Sequence, residues 1–431
     1  MWIDDDYEVL GGYFFLEAFS STAFNDGIVN HNRYANRGVY LEDGKTLTLG
    51  GDFSNTGSNS FSFNFVGGYF FAGPNSILNV AGSFFTSSGR SVPGDIASSR
   101  FEAFTGSTVV LNGAGDQELR LRTNSLYNLT INKTSGNVLA QGLSGATYYS
   151  IVVQNKFSML SGNFVIRSTS PLVIQGDYEQ QGGTVDFDLS PITVQGNFIV
   201  TGGTLTPTSS TVFFTPNSTD DRTIQLDGTD VKLNNIVFNR DSYVPTVGHN
   251  SPGNHLTDPA VQTSVPITTV NTNLVRYTIS STTNTFEVLN DVTIENNRDV
   301  TLSEDLSTVV GNITVNSGGE LTTSAGTDLQ IKAGSTLLVD DGGSLNVIGS
   351  VSKFTKISRS GTGDDKYSFS VNGTLRARYY LIEHTDVNGV NLGTTAKTMS
   401  PGVTIVGGGG ENYDVTTGVT VVGGGGIGAT A

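Results

Sequence analysis

The sequence predicts an all-β chain wound into a parallel β-solenoid with coils of about 20–24 residues. Three observations carry that expectation. Apolar residues almost nowhere follow a helical period; short alternating runs of Val, Ile, Thr, Phe and Tyr are separated by Gly-Gly, Asn-Gly and Asp-Gly instead. These runs recur at a nearly constant interval. A longer duplication lies over the short one.

The short repeat is clearest in the middle of the chain. Ser170-Pro171-Leu172-Val173-Ile174-Gln175-Gly176-Asp177-Tyr178 returns 20 residues later as Ser190-Pro191-Ile192-Thr193-Val194-Gln195-Gly196-Asn197-Phe198. Gly182-Gly183-Thr184-Val185 returns in the same register as Gly202-Gly203-Thr204-Leu205. One unit earlier, the run from Gln154 to Phe157 and Ser161-Gly162-Asn163-Phe164 fit a shift of 21. Towards the C-terminus Ile313-Thr314-Val315 and Gly318-Gly319-Glu320-Leu321 match Leu337-Leu338-Val339 and Gly342-Gly343-Ser344-Leu345 at a shift of 24. A coil of three short strands and three turns has this length, and each strand then stacks on its equivalent about 4.8 Å away. Inward positions should stack apolar groups: Leu172 with Ile192, Ile174 with Val194, Tyr178 with Phe198. Glycines should take the turn positions with positive φ. Asparagines at matching turns, such as Asn132 and Asn239, are candidates for amide ladders.

The longer repeat pairs Ser107-Thr108-Val109-Val110-Leu111 with Ser210-Thr211-Val212-Phe213-Phe214, and Asn128-Leu129-Thr130-Ile131-Asn132 with Asn235-Ile236-Val237-Phe238-Asn239. Gly11-Gly12-Tyr13-Phe14-Phe15 recurs identically as Gly67-Gly68-Tyr69-Phe70-Phe71. From these landmarks residues 1–44 read as an N-terminal cap or preceding coils and 45–240 as a first solenoid block. Residues 241–285, with Pro245, Pro252, Pro259 and Pro266, read as an excursion or joint, because proline cannot donate to a ladder. Residues 286–390 read as a second block, and 391–431 as the glycine-rich start of a further β-repeat. The alternation of Phe61, Phe63 and Phe65 places three rings on one face, where core stacking is the expected use.

Composition narrows the function classes. With 23 basic against 39 acidic residues the net charge is −16, which repels nucleic acid and anionic lipid alike. Zero cysteine excludes a disulfide scaffold, thiol catalysis and thiolate metal sites. Apolar runs of about five residues fall far short of a membrane-spanning helix, so no membrane insertion is expected. Met1-Trp2-Ile3 runs into Asp4-Asp5-Asp6 rather than into a basic and apolar leader, so the chain is expected to be cytosolic or a piece of something larger.

Several segments resemble the repeat regions of very large bacterial surface adhesins of the type IX secretion kind. They are Leu126-Tyr127-Asn128-Leu129-Thr130-Ile131-Asn132-Lys133-Thr134-Ser135-Gly136-Asn137-Val138, the Gly-Asn-Phe and Gly-Asp-Tyr coil starts, Gly373-Thr374-Leu375-Arg376-Ala377-Arg378-Tyr379-Tyr380, and the closing glycine-rich phrase. The resemblance implies a right-handed parallel β-helix in an extracellular, stalk-like or adhesive protein at the bacterial cell surface. The export signal and C-terminal sorting domain of that family are not found in this sequence.

Chemistry-bearing constellations are few. β-Helix hydrolases cluster aspartates beside a His-Gly and an Arg-x-Lys, neither of which occurs here. The pairs Asp220-Asp221, Asp340-Asp341 and Asp364-Asp365 fall at expected turns, where solvation is their ordinary role. Calcium is the cation they would take, with Asp340 and Asp341 the metal candidates. His249, His255 and Asp258 have a spacing that could meet a metal but lack a third strong ligand. Arg120-Leu121-Arg122 and Arg376-Ala377-Arg378 each place two guanidinium groups on one strand face, a geometry that clamps a carboxylate or acidic sugar.

The expectation is therefore a non-enzymatic, extracellular structural or adhesive segment without catalytic residues or a required cofactor. Its expected partners are other segments of the same large protein, further copies in a homo-oligomer or filament, and a cell-surface glycan. The alternatives are a β-helix polysaccharide lyase or hydrolase and a phage-type trimeric tailspike acting on acidic glycans.

Overall fold

In the computed structural model the described residues are 38–55, 69–86, 100–121, 125–140, 150–166, 170–206, 209–216, 218–228, 230–239, 274–283, 285–362 and 364–399, with short strand fragments elsewhere. They form strands, turns and bends of a parallel β-solenoid, and no helix occurs among them. The chain divides into two compact units, one drawn mainly from Met1–Thr193 with Gly202–Thr204, the other mainly from Leu205–Ser242 and Thr269–Ala431.

In the first unit the interior is built by rows of side chains that climb from coil to coil. Leu47 faces Leu78, Leu78 faces Val109, Val109 faces Leu129, Leu129 faces Phe157 and Phe157 faces Tyr178, all in parallel register. Every member of that row is buried. The alternation seen in the sequence explains it, since successive side chains of a strand point to opposite faces. Thr108–Leu111, for example, alternates half-buried and buried positions. Burial of this kind contributes about 1.5–3 kcal/mol per large side chain. Near its start the same unit fills the interior with Phe53, Phe70, Phe84 and Phe101. Phe53 and Phe84 stack at 4.7 Å, Phe70 and Phe101 at 5.7 Å, and the two stacks meet edge to face.

The expected 21-residue register is observed: Phe157 faces Tyr178, and Asn163-Phe164 face Thr184-Val185. The 20-residue register also appears within this unit, where the Leu172 amide donates to the Pro191 carbonyl and the Thr204 amide to Gly183. Leu172, Ile174, Tyr178 and Ile192 are all buried, as inward positions require, and in the second unit Val194 and Phe198 are buried as well. The glycine turns stack as well. Gly162, Gly183 and Gly203 hold φ of 88°, 70° and 82°. A Cβ on Gly183 would lie 2.4 Å from the Gly162 carbonyl oxygen, and one on Gly203 2.3 Å from that of Gly183. Both the conformation and the space exclude a side chain there.

The second unit repeats the design. Tyr277, Val300, Leu321, Leu345 and Leu375 form one inward row, and Phe214, Phe238, Ile294, Val315, Val339 and Val371 another. Ile313 faces Leu337 and Leu321 faces Leu345, the 24-residue register. Strands that precede the proline-rich stretch pair directly with strands that follow it: Arg222–Leu226 with Val275–Ser280, and Asn235–Phe238 with Val292–Ile294. The ladder is therefore continuous across the intervening residues.

The longer duplication is a repeated strand pair. In the first unit Thr108–Leu111 lies beside Asn128–Ile131; in the second Thr211–Phe214 lies beside Asn235–Phe238. Each copy keeps the same side-chain bond, from Asn128 Nδ2 to Thr108 Oγ1 at 3.3 Å and from Asn235 Nδ2 to Thr211 Oγ1 at 3.4 Å.

Amide ladders are present at positions other than those expected. Asn155 donates to Asn128, Asn163 to Asn137 and Asn290 to Asn234. Asn132 instead accepts from the Ser161 hydroxyl, and the backbone carbonyl of Asn239 accepts from Arg298. The proline-rich residues 240–273, most of 1–37, Phe61 and Phe65 lie outside the described residues.

Candidate functional site

The outward faces carry what chemistry the described residues hold, and most of it is charge paired along the ladder. Arg276 Nε lies 3.9 Å from Asp299 Oδ2, and Arg376 Nη1 lies 3.9 Å from Glu320 Oε2. Asp299 and Glu320 face each other in register on adjacent strands. Burial pushes the Asp299 carboxyl up from the usual range, the Glu320 charge pushes it further, and Arg276 opposes both. A second network links Lys232 and Lys332 to Glu287 at 3.5 and 3.7 Å. Lys356 meets Glu383 at 2.5 Å. In the first unit Lys156 pairs with Glu179, and that bond, with one from Gln181, holds the Glu179 carboxyl below its ordinary range.

The arginine pairs come out differently. Arg120 ends the strand Gln117–Arg120; it pairs with Glu118 and sets its guanidinium 5.2 Å from the Phe85 ring. Its expected companion Arg122 lies outside the described residues. Arg376 and Arg378 both occupy Thr374–Arg378, whose alternation leaves the two arginines exposed on one face while Leu375 and Ala377 are buried. That pair has the geometry the sequence suggests.

The acidic pairs occupy exposed turns. Asp340 and Asp341 lie between Thr336–Val339 and Ser344–Ile348, and the Asp341 amide donates to Asp340 Oδ1. Asp220 accepts from the Ser218 hydroxyl and lies 3.8 Å from Arg222. Asp364 and Asp365 are exposed. His249, His255 and Asp258 are outside the described residues, among which no three His, Cys, Asp or Glu gather as a metal site.

Sequence reasoning passed over two features. Lys133 is 2% exposed, yet its ammonium donates to Gly113 O, Gly115 O and Gln117 Oε1 at 2.6–2.7 Å. Burial lowers its pKa, against the pull of Asp116. Three carbonyl-type acceptors make it an internal strut between coils. Tyr379 and His384 hold φ of +51° and +63°, values rare for residues with a side chain. Nothing in the local sequence marks Tyr379 as a corner; His384 does carry the residue type more tolerant of that region.

Comparison with protein families, with curated proteins and with solved structures finds no match for this chain.

Proposed function

We propose that the chain is a non-catalytic segment of a large bacterial surface adhesin or filament of the type IX secretion kind, serving as a rigid extracellular spacer with a glycan-binding outer face. The observation that carries this reading is the division of labour within each coil. The inward rows are apolar and buried, whereas outward carboxylates are spread along the ladder in ion pairs with Lys and Arg. Such a stack extends by adding coils, each of which needs only its neighbours. Its partners on this reading are other segments of the same protein, further copies of the chain and cell-surface glycan. Antibody against the purified chain should label intact cells of the source bacterium, and the chain should release no reducing ends from polygalacturonate, alginate or hyaluronate. Labelling only after permeabilisation would overturn the reading.

One observation favours a polysaccharide hydrolase as the second reading. Asp299 and Glu320 are adjacent carboxylates, and Asp299 binds its proton more tightly than usual. Polysaccharide cleavage abolished by Glu320→Gln would establish that reading in place of the scaffold.

A further inference from the structure

We propose that one corner of the second unit, formed by residues 348–354 and 376–379, is a binding site for a carboxylated sugar, with Arg378 taking the carboxylate and Phe354 the apolar face of the ring. The proposal deepens the glycan-binding part of the reading above and rests on it.

The corner is an outgrown turn. Where the chain passes from Arg298–Leu302 to Ser307–Val310 and from Glu320–Thr323 to Asp328–Ile331, it uses four residues, 303–306 and 324–327. Between Ser344–Ile348 and Thr355–Arg359 it uses six, 349–354. The added residues are braced in place. The Ser350 and Lys353 amides donate to each other's carbonyls, Gly349 N donates to Arg378 O, Thr355 N donates to Tyr379 O, and Lys353 Nζ reaches Asp305 at 2.5 Å. A held loop of this kind presents its side chains without a large ordering cost on binding.

What it presents is unlike the rest of the outer face. Ile348, Val351 and Phe354 are three of the eight exposed large apolar side chains among the described residues, and Val351 and Phe354 are 74% and 57% exposed. Exposed apolar groups concentrated at one place mark a contact surface more often than scattered ones do. Beside them the Tyr379 ring meets Phe354 edge to face at 6.4 Å, and the Arg378 guanidinium lies 4.8 Å from the Tyr379 centroid. Tyr379 keeps a left-handed backbone, φ +51°, at a cost that a glycine would not incur. The ring at this position lies under the guanidinium of the preceding residue.

Charge selects the ligand. Arg376 has Glu320 and Lys353 has Asp305 as acidic neighbours, but Arg378 has no carboxylate partner among the described residues. In a chain of net charge −16 an exposed, unneutralised arginine on an aromatic support is an anion site. Arg378 Nη2 donates to the Tyr379 hydroxyl at 3.5 Å, and the other N–H groups of the fork remain available to a carboxylate. One exposed phenyl ring beside one guanidinium matches a single pyranose ring and its carboxylate, as in a uronic or sialic acid.

The test is titration calorimetry and NMR of the intact chain against tetramers of galacturonate, glucuronate and N-acetylneuraminate, with the methyl-esterified galacturonate tetramer as uncharged control. At least one acidic tetramer should bind saturably, about tenfold or more tighter than the ester or than tetraglutamate, and more weakly as salt rises. Arg378→Gln and Phe354→Ser should each weaken it about tenfold while melting with the parent, since both side chains are exposed; Arg359→Gln should leave it unchanged. Absence of saturable binding by all three tetramers overturns the proposal, as does binding that both corner variants leave intact or equal binding of tetraglutamate. These results leave surface labelling and the absence of cleavage untouched, so failure of the site is distinguishable from failure of the scaffold reading.

Discussion

Replacing Phe157 by Ala probes the interior of the first unit at an aromatic that stacks on the next coil. The side chain is fully buried in the strand Ile151–Ile166. Its ring stacks on Tyr178 at 5.3 Å and 14° and meets Phe164 at 5.1 Å and 58°. Burial of the ring contributes about 1.5–3 kcal/mol, and each aromatic contact adds about 0.5–1.5 kcal/mol. The strands above and below are tied into ladders, so the space left behind cannot close fully. A loss of about 3–5 kcal/mol follows. In a repeat stack such a loss falls on nearest neighbours, so hydrogen exchange should show lost protection across 150–166 and 172–187 before other coils respond. Ser158→Ala, next in the strand on the opposite face, should cost under about 0.5 kcal/mol. Denaturant melts followed by peptide-resolved exchange measure both. If Phe157→Ala melts like the parent, or Ser158→Ala is as damaging, the inward register assigned here is wrong.

Other outcomes follow from the same structure. Gly183→Ala should destabilise by about 1–3 kcal/mol, because the new Cβ meets a backbone carbonyl at 2.4 Å in a left-handed conformation; a melt at the parent's midpoint would contradict it. Asp299 has a raised folded pKa, so the folded state binds more protons than the unfolded between the ordinary carboxyl value and the raised one, and its contribution falls as pH rises through that window. Asp299→Asn should therefore raise the melting temperature slightly at pH 7 and lose that advantage below about pH 3, while an advantage confined to acid would reverse the sign. Glu179 behaves oppositely: Lys156 lowers its pKa, so its stabilisation is present above the ordinary value and lost as pH falls through the folded one, a difference that Glu179→Gln should remove. Deleting residues 244–260 should leave the melt almost unchanged, because the ladder already closes between strands on either side; collapse of the fold would show the segment to be core.

Much of the ladder was legible because coils of equal length keep the same residue types in register. Gly318-Gly319-Glu320-Leu321 and Gly342-Gly343-Ser344-Leu345 could be aligned by eye, and Leu321 does face Leu345. Longer coils hid their partners. Leu47 faces Leu78, Leu78 faces Val109 and Leu345 faces Leu375, intervals beyond 24 residues, and the last of them contains the six-residue corner 349–354. The exposed face shared by Arg376 and Arg378 was readable from alternation alone. The aromatic corner beside it was not, because Phe354 and Tyr379 are brought together by ladder pairing of residues distant in sequence. Lys133 was unreadable for a related reason: a lysine in a polar run reads as outward, and only the assembled coils bring Gly113, Gly115 and Gln117 around its ammonium.

Parallel, in-register stacking is the claim on which the rest stands, and engineered cross-links test it directly in a chain with no native cysteine. Asp299 faces Glu320 and Thr301 faces Thr322, with all four side chains outward. Strands about 4.8 Å apart place such pairs within disulfide reach. The double variants Asp299→Cys/Glu320→Cys and Thr301→Cys/Thr322→Cys should each oxidise rapidly to an intramolecular disulfide, and Asp299→Cys/Thr322→Cys should not. The reverse pattern, with the Asp299 and Thr322 positions linked and the other two pairs free, would mean an antiparallel hairpin and would contradict the solenoid.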